Sequence, residues 1–445
     1  MKKKFLKLFT MIFAVALLFT GCTVARNVVD ENGDPYYFEE VKHFGGQVVQ
    51  IGSHLFFANG YSDSSAEEFD YNEASKTGYL AYINLSEPFT FDEDATDTKN
   101  SSPLGSEKVS DRFVGYQNQD MFVYGSYIYL TSTNTHKTGE LENDYSRVSL
   151  FRMKFNENKL QEICTTRYDE NSQISVQKGS DGNYYYVICA QNDQEEYQIS
   201  SIKIGDELGK QTVLAENIES YAVADENSTL KNVVYTKTND KGEMEIKAVD
   251  FANGQTSSYS LQQSAEITLL DRVGDRVFYS ADTDITDVEV YQKDITKANN
   301  FDASGRFYSD DSISNVMATE EGFAFITESG ALVYKTLNGQ SKVLLSSGTT
   351  FDVLFEDNGW IYYSTSTDIN RIGVLSGESE NVVSMTSIIS GAYGLSDGYI
   401  YFFAQIEQEQ SDSESEESEE TDENHYLYRA ALSGDGGCQL IGKSK

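Results

Sequence analysis

Asp357-Asn358-Gly359-Trp360-Ile361-Tyr362-Tyr363-Ser364 reads as a turn that feeds a strand, and Ser396-Asp397-Gly398-Tyr399-Ile400-Tyr401-Phe402-Phe403 is its near copy. Asn-Gly and Asp-Gly are the pairs that two-residue hairpin turns select, because both tolerate the positive φ such turns demand. The aromatic and β-branched run that follows suits an extended backbone. Ile361, Tyr362 and Tyr363 are apolar without a break, as are Tyr184 to Ile188. Successive side chains of a strand point to opposite faces, so these strands have both faces covered; a strand with one wet face would alternate.

Further copies of the motif end at Phe57, Leu130, Tyr186, Tyr235, Tyr279 and Phe325. Measured at the last residue of each motif, taking Tyr363 and Phe402 for the two copies above, the eight are spaced by 73, 56, 49, 44, 46, 38 and 39 residues. The spacing converges on the length of a four-stranded propeller blade. Each unit holds further apolar runs after the motif, such as Asn370–Leu375 and Asn381–Met385, and one before it, such as Thr350–Phe355. The expected fold is therefore all-β: a single β-propeller over residues 45–445, with eight four-stranded blades, or seven if one unit is misread. A tandem of β-sandwiches is the competing arrangement. It leaves the doubly apolar strands uncovered on one side, whereas neighbouring blades cover both.

The polar stretch 86–110, which holds Pro88 and Pro103, and the likewise polar stretch 133–145 read as surface loops that lengthen the early units. Residues 407–424 carry ten acids and five serines or threonines, too little apolar surface to offset the entropy of ordering, and are expected to form a disordered acidic loop in the last blade. Residues 22–44 read as a tether, with one strand expected near Tyr36 to Glu39.

At the N-terminus, Lys2, Lys3, Lys4 and Lys7 precede an apolar run from Leu8 to Phe19, then Thr20, Gly21 and Cys22. This is the layout of a secretion signal over residues 1–21. The run of twelve is short of the roughly 20 residues a spanning helix needs. Leu18-Phe19-Thr20-Gly21-Cys22 resembles the lipobox of bacterial lipoproteins, departing from it at Phe19, where that family has Leu. The resemblance implies cleavage before Cys22 and two or three acyl chains, of the palmitate kind, on that cysteine. Two chains anchor stably where one does not, each buried CH₂ contributing about 0.8 kcal/mol.

The whole chain has 34 basic and 71 acidic residues, a formal charge of -37, and loss of the signal lysines takes it to -41. Such a surface repels nucleic acid, which is excluded as a partner. It also keeps a protein soluble and clear of non-specific contacts, and a monomer is expected. After Cys22 the cysteines are Cys164, Cys189 and Cys438, an odd number that makes no disulfide framework. Buried reduced thiols are expected, with a Cys164–Cys189 bridge as the alternative.

No chemistry announces itself. His43, His54, His136 and His425 lack the paired spacing of zinc sites. Asp30 to Asp34 begins like a calcium loop, but Pro35 stands where that loop needs Gly. Asp282 to Asp287 reads as an ordinary turn. The chain has no nucleophile elbow, Walker motif or dinucleotide fingerprint, so no catalytic residue, metal or cofactor is assigned.

Together the lipobox and the Gly-x-Ile-Tyr-Tyr repeats resemble the uncharacterised β-propeller lipoproteins of Gram-positive bacteria, and more loosely the TolB-like propellers. In outline the chain is also similar to the eight-bladed lipoprotein of the outer-membrane assembly machinery. That family's recurrent blade-edge Trp is absent here, where Trp360 stands alone. The resemblance implies a lipid-anchored protein on the extracytoplasmic face of the cell membrane. The expected function is a binding or scaffold module that recognises an envelope protein, peptide or glycan through its loops. A polysaccharide hydrolase or lyase with carboxylates at the ring centre is the alternative, and an accessory sensor or chaperone of an export system is a third.

Overall fold

A computed structural model of the chain describes residues 26–443 apart from 45, 47, 60–78, 87–106, 114–120, 136–142, 170, 262–265, 283–287, 298–299, 302–305, 311–312, 320–321, 358, 386–387, 397, 406–424 and 433–437. Cys22 and the acidic stretch 407–424 lie outside the described residues. Among those described, every regular element is a strand.

The strands form small sheets that follow one another along the chain. Sheet one holds Val48–Ile51, His54–Asn59, Tyr79–Asn84 and Glu107–Phe113; sheet two holds Phe122–Gly125, Tyr127–Thr135, Asn143–Lys154 and Gln161–Arg167. Sheet three is Gln173–Lys178, Tyr184–Gln191, Tyr197–Lys203 and Thr212–Glu216; sheet four is Ser220–Val223, Asn232–Thr238, Met244–Asp250 and Thr256–Leu261. Sheet five is Glu266–Val273, Arg276–Asp282, Val288–Asp294 and Arg306–Asp310; sheet six is Ile313–Thr319, Gly322–Thr327, Leu332–Thr336 and Ser341–Leu345. Sheet seven is Asp352–Asp357, Trp360–Ser364, Asp368–Gly373 and Ser379–Ser384; sheet eight is Ile388–Ser396, Tyr399–Gln405, His425–Ala431 and Cys438–Lys443. Within each, these four strands pair antiparallel in chain order. Two short strands join from elsewhere: Phe38–His43 pairs antiparallel with the first strand of sheet two, and Asn300–Phe301 pairs parallel with the last of sheet four.

The repeated motif is the second strand of each sheet, and the residues before it are the turn. Asp357 pairs with Trp360 and Ser396 with Tyr399, so both hairpins close over two residues, with Gly359 and Gly398 at φ 79°. Any other residue there would be strained.

Adjacent apolar residues in the motif serve different neighbours. In sheet seven, Ile361 and Tyr363 join a buried cluster shared with sheet six, while Tyr362 joins one shared with sheet eight. The same holds at every seam between consecutive sheets, each filled by its own apolar cluster. A further cluster joins Val48, Leu55 and Phe57 of sheet one to Tyr401 and Leu427 of sheet eight. There Leu395 N–H donates to the Phe44 carbonyl, and the Tyr401 hydroxyl donates to Gln50 Oε1 at 2.5 Å. Full burial of a side chain of this kind contributes on the order of 1.5–3 kcal/mol. Most of the stability thus resides in the seams.

Three details differ from the sequence reading. Strands Glu107–Phe113 and Asn143–Lys154, and the end of Tyr127–Thr135, run into stretches read as loops. Glu107–Phe113 is the outermost strand of its sheet, paired on one side only, and such a strand needs few apolar residues. The segment from Arg26 to Phe44, read as tether, is packed on sheets one and two, and its strand, Phe38–His43, overlaps the one expected near Tyr36 to Glu39 but extends further toward the C-terminus. Finally, the three thiols are unpaired and differ in burial: Cys189 is buried, Cys164 half-buried, and Cys438, on the outermost strand of sheet eight, exposed.

Candidate functional site

The first strands of sheets four to eight, and then of sheet one, lie each against the next, forming one continuous wall. Four of these strands are irregular. The register slips between Leu269 and Asp271 in sheet five, Ser314 and Met317 in six, Val353 and Phe355 in seven, and Ile389 and Tyr393 in eight. A bulge leaves residues unpaired and re-aims the side chains around it, and bulges concentrate near functional sites.

The residue after the slip is Met317 in sheet six and Phe355 in sheet seven, each packed into the seam with the following sheet. Sheet five places Asp271 at the same position. Burial pushes its carboxyl up to about 6; the Arg272 N–H, 2.7 Å from Oδ1, pulls it down and the charge of Asp225 adds to the rise. An acid that holds its proton close to neutrality is a candidate general acid.

The raised value also has a consequence for stability. The folded state binds this proton more tightly than the unfolded chain does, so ionised Asp271 opposes folding above about pH 6 and is neutral in both states well below pH 4. Asp271→Asn is therefore expected to stabilise the fold by about 3 kcal/mol near pH 8, with the gain fading as the pH falls toward about 4. Denaturant unfolding of both proteins across that range checks this; a gain that is independent of pH would refute it.

Arg272, beside it, is buried and belongs to the framework. Its Nε donates to the Gly274 carbonyl (2.7 Å), Nη1 to the Asn232 carbonyl (3.0 Å) and Oδ1 (2.6 Å), and Nη2 to the Leu230 carbonyl (2.7 Å) and Asp275 Oδ1 (3.1 Å). The carboxylate of Asp275 also accepts the N–H groups of Thr229 and Leu230 at 3.0–3.2 Å, and Asp225 Oδ2 accepts Gly274 N–H at 2.8 Å. Sheets four and five are thereby locked at one end.

A cleft of about 290 Å³ opens at that end, lined among others by Asn227, Asp275, Arg276, Asp294 and Leu337. Both of its carboxylates are engaged. Burial raises the Asp294 carboxyl, but Lys297 and Thr296 outweigh this and hold it near 2. Arg276 Nη1 donates to Gln292 Oε1 at 3.1 Å.

The residues singled out in the sequence are dispersed. His54 is buried, its Nδ1 2.6 Å from the Tyr82 hydroxyl, and burial lowers its pKa. His43 packs against Phe122 with ring centroids 5.3 Å apart; His425 opens a strand of sheet eight, and His136 lies outside the described residues. Asp30 caps its own turn, Oδ1 accepting the N–H groups of Asn32 and Asp34 at 2.8 and 2.9 Å. Asp282 ends a strand of sheet five, and 283–287 lie outside the described residues. Burial pushes the Cys164 thiol up to about 12 and Cys189 higher still, so neither is a ready nucleophile. No group of three metal-ligating side chains occurs among the described residues. The sequence reading missed Asp271 and Arg272, two adjacent charges in the otherwise largely apolar strand Glu266–Val273.

No family model matches the chain, and no curated protein matches it. Among solved structures it is similar to a puromycin hydrolase (TM-score 0.45, 12% identity, 71% of this chain and 52% of that one). It is also similar to a protein from a study of two prolyl endopeptidases (0.45, 12%, 82% and 54%). TolB from Acinetobacter baumannii matches at 0.33 and 10%, over 79% of this chain and 80% of that one. The chain spans about half the length of the hydrolase and the endopeptidase. Likenesses of this strength say nothing of its chemistry.

Proposed function

We propose that the chain is a lipid-anchored, extracytoplasmic binding or scaffold protein whose eight sheets close into a propeller, and that it recognises an envelope protein, peptide or glycan through the connections between strands. The observation that carries this is the cyclic series of apolar seams, ending with sheet eight packed on sheet one. A ring of that kind is a rigid platform, and rigid platforms present loops for recognition. Lipid on Cys22 places it on the outer face of the cell membrane, as a monomer. The mature chain, immobilised and exposed to envelope extract, is expected to retain a component that an unrelated protein of equal acidity does not. Equal retention by both would refute the reading.

A second reading, a hydrolase or lyase acting on polysaccharide, is favoured by one observation, the raised carboxyl of Asp271 on the wall of first strands. Turnover of an envelope glycan by the purified protein, lost in Asp271→Asn, is its signature. A glycan screen without turnover, with and without divalent metal, disposes of it.

A further inference from the structure

From Arg26 onward, the segment downstream of Cys22 is built into the body of the protein. Arg26 is 5% exposed, its guanidinium lying 5.6 Å from the ring centroid of Phe56 and 5.3 Å from that of Tyr82, both in sheet one. From there Nη2 reaches sheet two, donating to the Glu157 carbonyl at 2.7 Å and to Asn158 Oδ1. Val28 is fully buried in the same seam, and its N–H donates to Asn156 Oδ1 at 2.8 Å. Ten residues on, Phe38–His43 joins sheet two as a fifth strand. These contacts hold the chain at one end of the sheets, the end formed by the connections between first and second strands and between third and fourth.

Cys22 precedes Arg26 by four residues. Four residues span at most about 14 Å, whereas a tether free to residue 44 would span about 75 Å and leave the body free to tumble. We infer that the acylated cysteine holds the protein against the bilayer in one orientation: the end bearing Arg26 and the turn after Lys154 meets the lipid headgroups, and the connections between second and third strands face away. This inference rests on the lipid-anchor reading above and adds to it a defined membrane-facing surface.

The distribution of exposed apolar side chains supports it independently. Of the five large ones among the described residues, Tyr37, Leu230 and Leu375 lie in connections at the end named, and Val213 and Val343 lie on outermost strands. Tyr37, 58% exposed, stands directly before Phe38, whose partner Gly125 is in the first turn of sheet two. Tyrosine is a favoured residue at the level of lipid headgroups.

The test uses the full-length chain, processed in a host that acylates lipoproteins, with Cys438→Ser removing the exposed thiol. A fluorophore is placed through Lys159→Cys, beside the Arg26 site, or through Gln194→Cys, in the connection between the second and third strands of sheet three. The proteins are mixed with phosphatidylcholine vesicles carrying a headgroup nitroxide quencher, and flotation is scored separately. The expected result is that both proteins float, that the label at position 159 loses most of its fluorescence and that the label at 194 keeps it. Adding Arg26→Ala should preserve flotation and abolish the difference. Flotation with equal quenching at the two positions overturns the orientation and leaves the anchor reading standing. Absence of flotation overturns the anchor reading and the orientation with it.

Discussion

Arg272→Ala is expected to destabilise the protein by about 4 kcal/mol, the range seen when one partner of a buried, hydrogen-bonded ion pair is removed. The guanidinium side chain is fully buried and satisfies the carbonyls of Gly274, Asn232 and Leu230 together with Asp275. Truncation strands these acceptors, each at a cost of about 1–3 kcal/mol where water cannot reach. Arg272→Lys should recover less than half of the loss, since an ammonium group cannot present the planar fork that reaches acceptors from two sheets. Arg272→Met should cost less than Arg272→Ala, because it refills the space and leaves Asp275 with the Thr229 and Leu230 N–H groups. Denaturant midpoints give the totals. Amide exchange should locate the damage at residues 229–234 and 272–276. A loss under about 1 kcal/mol would mean that the buried pair only offsets its own desolvation.

The same device recurs at other seams. Arg26 bridges sheets one and two, and Arg152 bridges two and three, donating to the carbonyls of Gly205 and Asp206 with its Cζ 4.2 Å from the Tyr127 ring centroid. All three arginines act at the end of the sheets where the N-terminal segment docks. Apolar clusters fill the seams without direction, and the arginines add direction at their ends. Among the described residues, these three arginine links thus all lie at the end where the N-terminal segment docks, opposite the second-to-third connections, where much of the polar insertion falls.

The all-β character and the repeated small sheets were legible because two independent signals coincide. Asn358-Gly359 and Asp397-Gly398 mark the turn by backbone chemistry, and Ile361-Tyr362-Tyr363 marks a doubly buried strand by the absence of alternation. Phe38–His43 carries neither signal; a strand was expected near Tyr36 to Glu39, but the bounds of an edge strand with glutamates and a lysine facing water are set only by its partner. Asp271 and Arg272 were passed over for a different reason. In a chain with 71 acids, two adjacent charges read as surface, and the bulge just before Asp271 is a property of the pairing between strands, which no single strand displays.

The seam between sheets eight and one decides whether the molecule is a ring or an open arc, and Gly394 is the residue on which to test it. A β-carbon placed there would lie 2.8 Å from Val48 Cβ and 3.2 Å from its Cγ2. Nothing flexible can yield, because Val48 sits in the first strand of sheet one beside the Leu395–Phe44 hydrogen bond. Gly394→Val is accordingly expected to cost about 3 kcal/mol or more, at the upper end of what overpacking a core produces. If the seam closes a ring, the strain is shared by the whole circle, and protection from exchange should fall together at residues 48–57, 394–402 and across the intervening sheets. If the sheets form an arc, the two ends part and the midpoint of unfolding barely moves. Val48→Gly, which removes the opposing atoms, should make the double variant lose less than the sum of the two single losses, as expected for side chains in direct contact. Strict additivity would place Gly394 and Val48 apart and would remove the main support for closure.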